Sequence, residues 1–241
     1  MKPTNGVAGS SRRVPGVARD EAAVSPGPEW DASGADASGW EDLRDWGQQL
    51  VGLSAARSAG EGGPSAVEPI RAAMQRVLMD SVTGHDWPTI VRAHEAASRG
   101  DWRALLEIDR EWGGQAGSTS KIGEASFRAG QRQLGRMRPM RDVRVVQRYL
   151  EAIEAGTARG WHPVVYGMVL AVHAIPLRQG LAHHAMCVAS VMSRAMRESP
   201  EATPGARAAV EGFEAAVAAR IPAALEQALG TGLGVLPGRR G

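Results

Sequence analysis

Residues 160–197 read GWHPVVYGMVLAVHAIPLRQGLAHHAMCVASVMSRAMR, and this stretch decides the fold. It holds two apolar segments separated by a short break at 175–177. No Asp, Glu, Lys or Arg lies between positions 161 and 174, and a helix that is apolar on most faces is normally buried at the centre of a bundle. Pro163 suits the first turn of one helix and Pro176 the start of the next. The stretch therefore predicts a central, buried helical hairpin with amphipathic helices packed around it.

Apolar residues also recur at helical spacing on both sides of the hairpin, and most of them are Ala, Leu, Val and Met. This composition favours helices over strands, and no segment shows the sustained alternation of a strand. Gly100 is typical of a helix end and Asp101 of the cap of the next helix. The pattern predicts an all-α bundle of about eight to ten helices. The segments outside the hairpin are 41–57, 66–81, 87–98, 102–112, 120–136, 142–155 and 206–229, with a break at 113–119 and a kink at Pro222.

The chain divides into three parts by composition. Residues 1–39 are rich in Gly, Ser, Pro, Ala and charges, and such a segment buries too little apolar surface to offset the entropy of ordering it. We therefore expect a disordered N-terminal extension, an all-α domain over 40–229 and a flexible, glycine-rich tail over 230–241.

Several protein classes are disfavoured by composition. The single cysteine, Cys187, rules out an internal disulfide and a zinc site built from several thiolates, and it fits a reducing compartment. No apolar run reaches the length of a membrane span, and no signal peptide is apparent at the N-terminus. The 28 basic and 26 acidic residues are nearly balanced, so overall charge does not argue for nucleic acid. We expect a soluble, cytoplasmic protein.

A basic segment with a single acid, Asp142, lies in the middle of the chain, and three of its arginines are spaced i, i+4 and i+8. It is either a solvated face whose arginines pair with acids elsewhere in the fold, a docking surface for an acidic or phosphate-bearing partner, or a nucleic-acid site. No stacking aromatics interleave with the arginines, which disfavours nucleic acid. The basic segment comprises Arg128, Arg132, Arg136, Arg138, Arg141, Arg144 and Arg148.

His183 and Cys187 are four residues apart, so on a helix both can face one metal ion, and His184 is the i+3 alternative. Imidazole and thiolate suit zinc, nickel or copper. A closed site needs two further ligands, and no second cluster with ligand spacing exists in the sequence. The histidines either lie at the rim of a helical core or form a transient site that a second subunit completes.

The sequence gives no support to an enzyme. It contains no phosphate-binding loop, no GxSxG, no HExxH and no CxxC motif. Asp109 and Glu111 stand in an alternating charged pattern, and we expect both to face solvent. No residue of the hairpin has the pattern of a catalytic centre.

Three stretches together resemble the UreF family of urease accessory proteins, over about residues 85–220. The first is RAHEAASRGDWRALLEIDREW, residues 92–112, and the second is STSKIGEASFRAGQRQLGRM, residues 118–137. The matching positions of the second stretch are Glu124, Ser126 and Gly130. The third stretch, residues 160–185, matches the His-Pro-Val-x-(Phe/Tyr)-Gly run of the family at His162, Pro163, Val164, Tyr166 and Gly167.

Two segments depart from the family pattern. The family opens with an Asp-Ser-x-(Phe/Leu)-Pro-x-Gly segment and a glycine-rich box, whereas residues 47–65 read GQQLVGLSAARSAGEGGPS. After the hairpin, residues 190–205 read SVMSRAMRESPEATPG in place of a Gly-Gln-Thr-like box. If those segments touch partner subunits, partner contacts differ in this chain.

The resemblance implies an all-α, dimeric chaperone that bridges the UreD/UreH scaffold protein and the nickel-carrying GTPase UreG. That assembly inserts nickel into apo-urease, and the chain regulates GTP hydrolysis without a cofactor of its own, although transient nickel contact is compatible with the role. The alternative is a helical regulator that binds nucleic acid or an acidic partner through Arg128–Arg148. The residues expected to contact partners are Arg128, Arg132, Arg136, Arg141, His162, Pro163 and Tyr166, and the candidate metal ligands are His183, His184 and Cys187.

Overall fold

The computed structural model of the chain describes residues 67–116, 121–140, 142–199 and 204–232. Every regular element in these ranges is helical, which confirms the predicted all-α class. The helix predicted over 41–57, the N-terminal extension and the tail beyond Gly232 lie outside the described residues. Among the described helices, none combines the length and the apolar content needed to cross a membrane.

Ten α-helices and one π-helical turn follow one another along the described ranges. The α-helices are α1 Val67–Ser81, α2 Trp87–Ser98, α3 Trp102–Ala116, α4 Lys121–Met137, α5 Arg144–Glu154, α6 His162–Val172, α7 Leu177–Glu198, α8 Pro204–Ala209, α9 Phe213–Ala218 and α10 Ile221–Gly232.

The π-helical turn, Val82–Asp86, joins α1 directly to α2. The sequence predicts two separate helices here, because Gly84 interrupts the apolar pattern. A π turn accommodates an extra residue without ending the helix. The wider turn leaves both Asp86 and Trp87 buried, with 4% and 0% of their surface exposed.

The boundary between α2 and α3 confirms the predicted end and cap. Gly100 has a φ of +69°, and the N–H of Asp101 donates to the carbonyl of Ala96 at 2.9 Å. This left-handed residue after the helix is the usual helix end that favours glycine. The Asp101 carboxylate then accepts a hydrogen bond from the N–H of Ala104 at 3.1 Å, which caps α3.

Two further predicted boundaries are wrong. Helix α3 continues through Gly113 to Ala116, because Gly113 provides a close packing contact instead of a break. A Cβ atom on Gly113 would lie 2.8 Å from the indole Nε1 of Trp161. The single helix expected over 206–229 is three short helices, because the chain turns at Gly212, where φ is +72°, and again at residues 219–220.

Helix α6 lies at the centre of the bundle and packs chiefly against α2 and α4. Gly167 brings α6 close to α2, since a Cβ atom there would lie 2.5 Å from the carbonyl oxygen of Ile90. Pro163 occupies the first turn of α6 and Pro176 caps α7, as predicted. The other half of the hairpin, α7, packs against α9 and α10.

The two hairpin helices belong mainly to two different hydrophobic clusters, although Leu170 of α6 also lies in the first. In the first cluster, α7 packs with α1, α9 and α10, and its central side chains include Met74, Leu181 and Phe213. In the second, α6 packs with α2, α3, α4 and α5, around residues such as Leu105 and Val164. The hairpin therefore ties the two clusters into one helical domain.

Candidate functional site

Helix α4 is fixed on the start of α6 by contacts to its backbone. The hydroxyl of Ser126 accepts a hydrogen bond from the N–H of His162 at 3.2 Å. Gly130 faces the carbonyl oxygen of Gly160 so closely that a side chain at 130 would overlap it. The amide of Gln131 donates to the carbonyl of Arg159 at 2.7 Å. One face of α4 therefore packs against the backbone that leads into α6.

Asp109, on α3, accepts hydrogen bonds from the backbone N–H groups of residues 159–161, the segment that leads into α6. Its Oδ1 atom accepts hydrogen bonds from the N–H groups of Gly160 at 3.0 Å and Trp161 at 3.2 Å, and from the hydroxyl of Tyr149 at 2.7 Å. Its Oδ2 atom accepts one from the N–H of Arg159 at 2.7 Å. Burial, followed by the nearby Asp109 charge, raises the pKa of Tyr149, so its hydroxyl stays protonated and donates.

The prediction that Asp109 faces solvent is therefore wrong, because only 1% of its surface is exposed. The orphan N–H groups before a helix need acceptors when they are buried, and Asp109 supplies them. Glu111 does lie on the surface, where its carboxylate is 2.6 Å from the Arg92 guanidinium. The hydrogen bond and the charge of Arg92 lower the pKa of Glu111.

A buried polar cluster, formed by Asp86, His162, Tyr166 and His184, lies where the π turn, α6 and α7 meet. The His184 ring centroid is 5.6 Å from that of His162 and 5.4 Å from that of Tyr166. The Nε2 atom of His184 is 3.9 Å from the Oδ2 atom of Asp86. Asp86 and both histidines are almost completely buried.

Burial sets the protonation of this cluster. It raises the pKa of Asp86 to about 8 and lowers the pKa of His162 to about 4. It also lowers the pKa of His184, with smaller effects from His162 and His183. Although the Asp86–His184 separation is that of a weak ion pair, both shifts favour uncharged groups near neutral pH. The contact therefore joins a carboxylic acid and a neutral imidazole ring.

The three predicted metal ligands divide between two environments. His183 is exposed, and the Sγ atom of the half-buried Cys187 lies 3.6 Å from its Nε2 and 3.7 Å from its Nδ1 atom. His184, one residue further along, points into the buried polar cluster instead. Across the described ranges, no three His, Cys, Asp or Glu side chains gather as a metal-binding group. Burial raises the pKa of Cys187 to about 11, so the thiol is protonated near neutral pH.

The basic segment is partly neutralised by acids of α5. Arg138 lies 3.9 Å from Glu154, and Arg148 lies 2.8 Å from Glu151. Three further arginines, Arg128, Arg132 and Arg136, form the arginine face of α4, on the side of the helix away from α6. Arg132 and Arg136 are exposed, and Arg128 is half-buried. Arg141 lies outside the described residues.

A comparison with protein-family models tests the family resemblance that the sequence motifs indicate. The UreF family model matches residues 66–200, more than half of the chain. The chain belongs to the UreF family.

Membership of the UreF family implies an accessory role in urease maturation, and involvement in a urease accessory complex. UreF is an accessory family and not a family of catalytic enzymes. The matched residues build α1 to α7, with the connecting segments between them. No curated protein matches the chain at a significant level.

Most of the residues that carry the UreF resemblance have a structural role, because they fix how neighbouring helices approach one another. Ser126 and Gly130 hold α4 on the α6 entry, and Gly167 brings α6 onto α2. His162 and Pro163 lie in the core, where a partner would not reach their side chains, so we no longer expect them to contact a partner directly. Tyr166 is half-buried, and its hydroxyl donates to the carbonyl of Gly180 at 3.0 Å.

Sequence reasoning on this UreF-family chain missed two buried carboxyl groups. The burial of Asp109 could have been predicted from helical spacing. It lies four residues after Leu105 and three before Trp112, on the apolar side of α3. Asp86 had no comparable signal, because a π turn shifts the helical register in a way that the 3.6-residue period does not predict.

Proposed function

We propose that this chain is an adaptor in urease maturation, which bridges the UreD/UreH scaffold protein and the nickel-carrying GTPase UreG so that nickel is inserted into apo-urease. In this role it works in the cytoplasm as a homodimer, regulates GTP hydrolysis by the GTPase and carries no cofactor of its own. Nickel is the cargo of the assembly, and the hydrolysis is performed by the GTPase.

The match of the UreF family model to residues 66–200 carries this proposal. It covers the seven helices around the α6 entry, including both residues that hold α4 in place, Ser126 and Gly130. The family match therefore includes α4 and the start of α6, against which α4 packs.

The arginine face of α4 is the proposed docking surface. Contacts to α6 fix the inner side of α4, so the guanidinium groups of Arg132 and Arg136 project from a helix that is held in place. Planar guanidinium groups bind carboxylates in a bidentate manner, and complementary charge accelerates and orients the association of proteins. These properties support an acidic protein surface as the partner.

The test is a reconstitution with purified UreD/UreH, UreG and apo-urease from the native host. The parent chain should co-elute with the scaffold protein and the GTPase and should increase nickel-dependent urease activation. The double variant Arg132→Glu/Arg136→Glu should lose one of these partners while its melting temperature stays close to that of the parent, because both side chains are exposed.

A matched charge reversal, Arg99→Glu/Arg110→Glu, changes the same number of exposed arginines, one directly after α2 and one on α3, and should leave the complex intact. Absence of any complex with the parent at micromolar concentration would reject the adaptor role. If the control reversal disrupts the complex as strongly as the α4 reversal, the arginine face is not the docking surface.

Nucleic acid is the competing partner for the basic segment. The ion pairs of Arg138 with Glu154 and of Arg148 with Glu151 reduce its positive charge, which disfavours a polyanion. Binding to duplex DNA or RNA that weakens steeply with salt would support this alternative. We expect no such binding in a low-salt titration.

A further inference from the structure

Although the charges of the whole chain are nearly balanced, they are unevenly distributed along the sequence. Residues 20–45, here called the acidic arm, carry eight acidic residues and one basic residue, so the rest of the chain carries 27 basic and 18 acidic residues. The acids of the arm are Asp20, Glu21, Glu29, Asp31, Asp36, Glu41, Asp42 and Asp45. Blocks of like charge often act as interaction tails. The acidic arm lies outside the described residues, and its composition predicts a basic binding surface.

The arginine face of α4 concentrates positive charge on one side of one helix. Its three arginines follow one another at four-residue intervals and span about 12 Å at about 1.5 Å per residue. Helix α4 contains one further base, Lys121, and a single acid, Glu124. Ser126 and Gln131 hold the opposite side of α4 on the segment that leads into α6. The face is therefore held in place before anything binds to it, which lowers the entropic cost of binding.

The chemistry of the acidic arm matches this face. Guanidinium groups bind carboxylates in a bidentate manner and also stack on aromatic rings. Three of the seven tryptophans of the chain, Trp30, Trp40 and Trp46, lie within the arm or directly after it. The arm therefore offers both kinds of group that arginine recognises.

The acidic arm is also long enough to reach α4. The connecting residues 58–66 alone extend to roughly 30 Å, which is about the diameter of a small domain. A short flexible tether gives the arm an effective concentration in the millimolar range. Even a weak contact between the arm and the arginine face is then populated within one chain.

We propose that the acidic arm lies across the arginine face of α4 and covers it until an acidic partner displaces it. The contact is electrostatic, so it weakens as salt screens the charges. The contact itself needs no partner. The displacement rests on the proposed function, because the arm competes with a partner only if the arginine face is the docking surface.

The contact can be tested on the full-length chain with a carbodiimide, which joins a carboxylate to a lysine amine as an amide with loss of water. The chain has only two lysines, Lys2 and Lys121, so Arg132→Lys adds one new amine to the arginine face and retains its charge. Tandem mass spectrometry of tryptic peptides should show position 132 joined to carboxylates of the acidic arm. A mixture of isotope-labelled and unlabelled chains should show that both ends of the link belong to one chain.

The matched control is Arg110→Lys, which places the same amine at an exposed position of α3. Position 132 should link to the acidic arm several-fold more than position 110. Salt at about 1 M, where the Debye length falls to about 3 Å, should remove this difference. Equal yields at the two positions, or an excess at 132 that persists in high salt, overturn the electrostatic contact. Links only between labelled and unlabelled chains would place the arm on a second copy and overturn the contact within one chain.

The displacement is measured with a variant in which all eight acids of the arm are replaced by Asn or Gln. The ligand is the partner that Arg132→Glu/Arg136→Glu fails to bind in the reconstitution. At an effective concentration of about 1 mM, an arm with an intrinsic Kd of about 0.1 mM leaves about a tenth of the faces open, so the variant should bind this partner about tenfold more tightly.

The two parts of the proposal fail in different ways. Unchanged partner affinity in a chain that still forms the link at position 132 overturns the displacement, and with it the arginine face as the docking surface. Absence of the link overturns the contact of the acidic arm and leaves the adaptor role untouched.

Discussion

Asp109 illustrates how one side chain can organise a loop that lies far from it in the sequence. Its carboxylate accepts hydrogen bonds from three successive N–H groups, at residues 159–161, and from the Tyr149 hydroxyl. Hydrogen bonds to a charged group are worth about 1.5–3 kcal/mol each, and unsatisfied buried donors are costly. The entry into α6 therefore depends on this residue.

We predict that Asp109→Ala lowers the free energy of unfolding by at least about 3 kcal/mol, because it leaves buried N–H groups without an acceptor. Glu111→Ala is the matched control on the same helix. Its carboxylate is half-exposed in an ion pair with Arg92, so the loss should stay below about 1 kcal/mol. Chemical denaturation of the two variants measures both values, and similar losses would contradict the role of Asp109.

Asp86 predicts a particular dependence of stability on pH. Its pKa is about 8 in the folded chain and about 3.9 when unfolded, so between these values the folded state retains a proton that the unfolded state has released. This contribution to stability is fully present below about pH 4 and is lost as the pH rises through 8.

Relative to Asp86→Asn, the parent should therefore lose up to about 1.4 kcal/mol of stability per pH unit between about pH 6.5 and 8. Below pH 6.5 the lowered pKa values of His162 and His184 add the opposite slope in both proteins. Denaturation curves at several pH values measure the difference between parent and variant. A difference that does not change between pH 6.5 and 8 would show that Asp86 is ionised in the fold.

Three helices, α2, α5 and α6, end with a residue in the left-handed conformation, and at one of them this residue is not glycine. At α2 and α5, the left-handed residue after the helix is Gly100 or Gly156, with φ of +69° and +72°. At the end of α6 the same position is Ala174, with φ of +53°. The Ile175 N–H donates to the carbonyl of Leu170 at 2.8 Å, so the backbone pattern is the same.

Ala174→Gly should therefore stabilise the chain by about 0.5–1 kcal/mol, because it relieves a left-handed conformation that disfavours a side chain. Gly100→Ala is the reciprocal control. No atom lies within 4 Å of the added Cβ, so the backbone conformation alone should destabilise it, by about 1 kcal/mol. Thermal and chemical denaturation measure both changes. If both substitutions change the free energy of unfolding in the same direction, the backbone of Ala174 is not strained.

The family match ends at residue 200, yet the first hydrophobic cluster continues into α9 and α10. Phe213, Val217, Ile221 and Leu225 are all buried there. At about 1.5–3 kcal/mol for each buried side chain, these four residues contribute roughly as much as the whole stability of a typical domain, about 5–15 kcal/mol.

A chain that ends at Ser199 should consequently lose cooperative unfolding and bind a hydrophobic dye, because removal of α9 and α10 exposes the apolar side of α7. The comparison chain ends at Gly232 and retains α8, α9 and α10, so the difference between the two reports these helices alone. Cooperative melting of the shorter chain at the temperature of the longer one would show that α1 to α7 form a complete folding unit.

The sequence by itself determined most of the local structure. It predicted the all-α class, the two apolar helices of the hairpin, Pro163 in the first turn and the pairing of Gly100 with Asp101. It also carried the UreF resemblance that the family match confirms. These features depend on residues within one or two helical turns of each other, where periodicity, capping and backbone preference act.

Only the tertiary structure decided which polar residues are buried and what they contact. Asp109 meets the N–H of Arg159 from 50 residues away, and the π turn places Asp86 beside His184. The same folding separates His184 from its neighbour His183, because adjacent residues of a helix point about 100° apart. Such contacts depend on how the helices pack, since a charge is stable in the core only where distant groups compensate it.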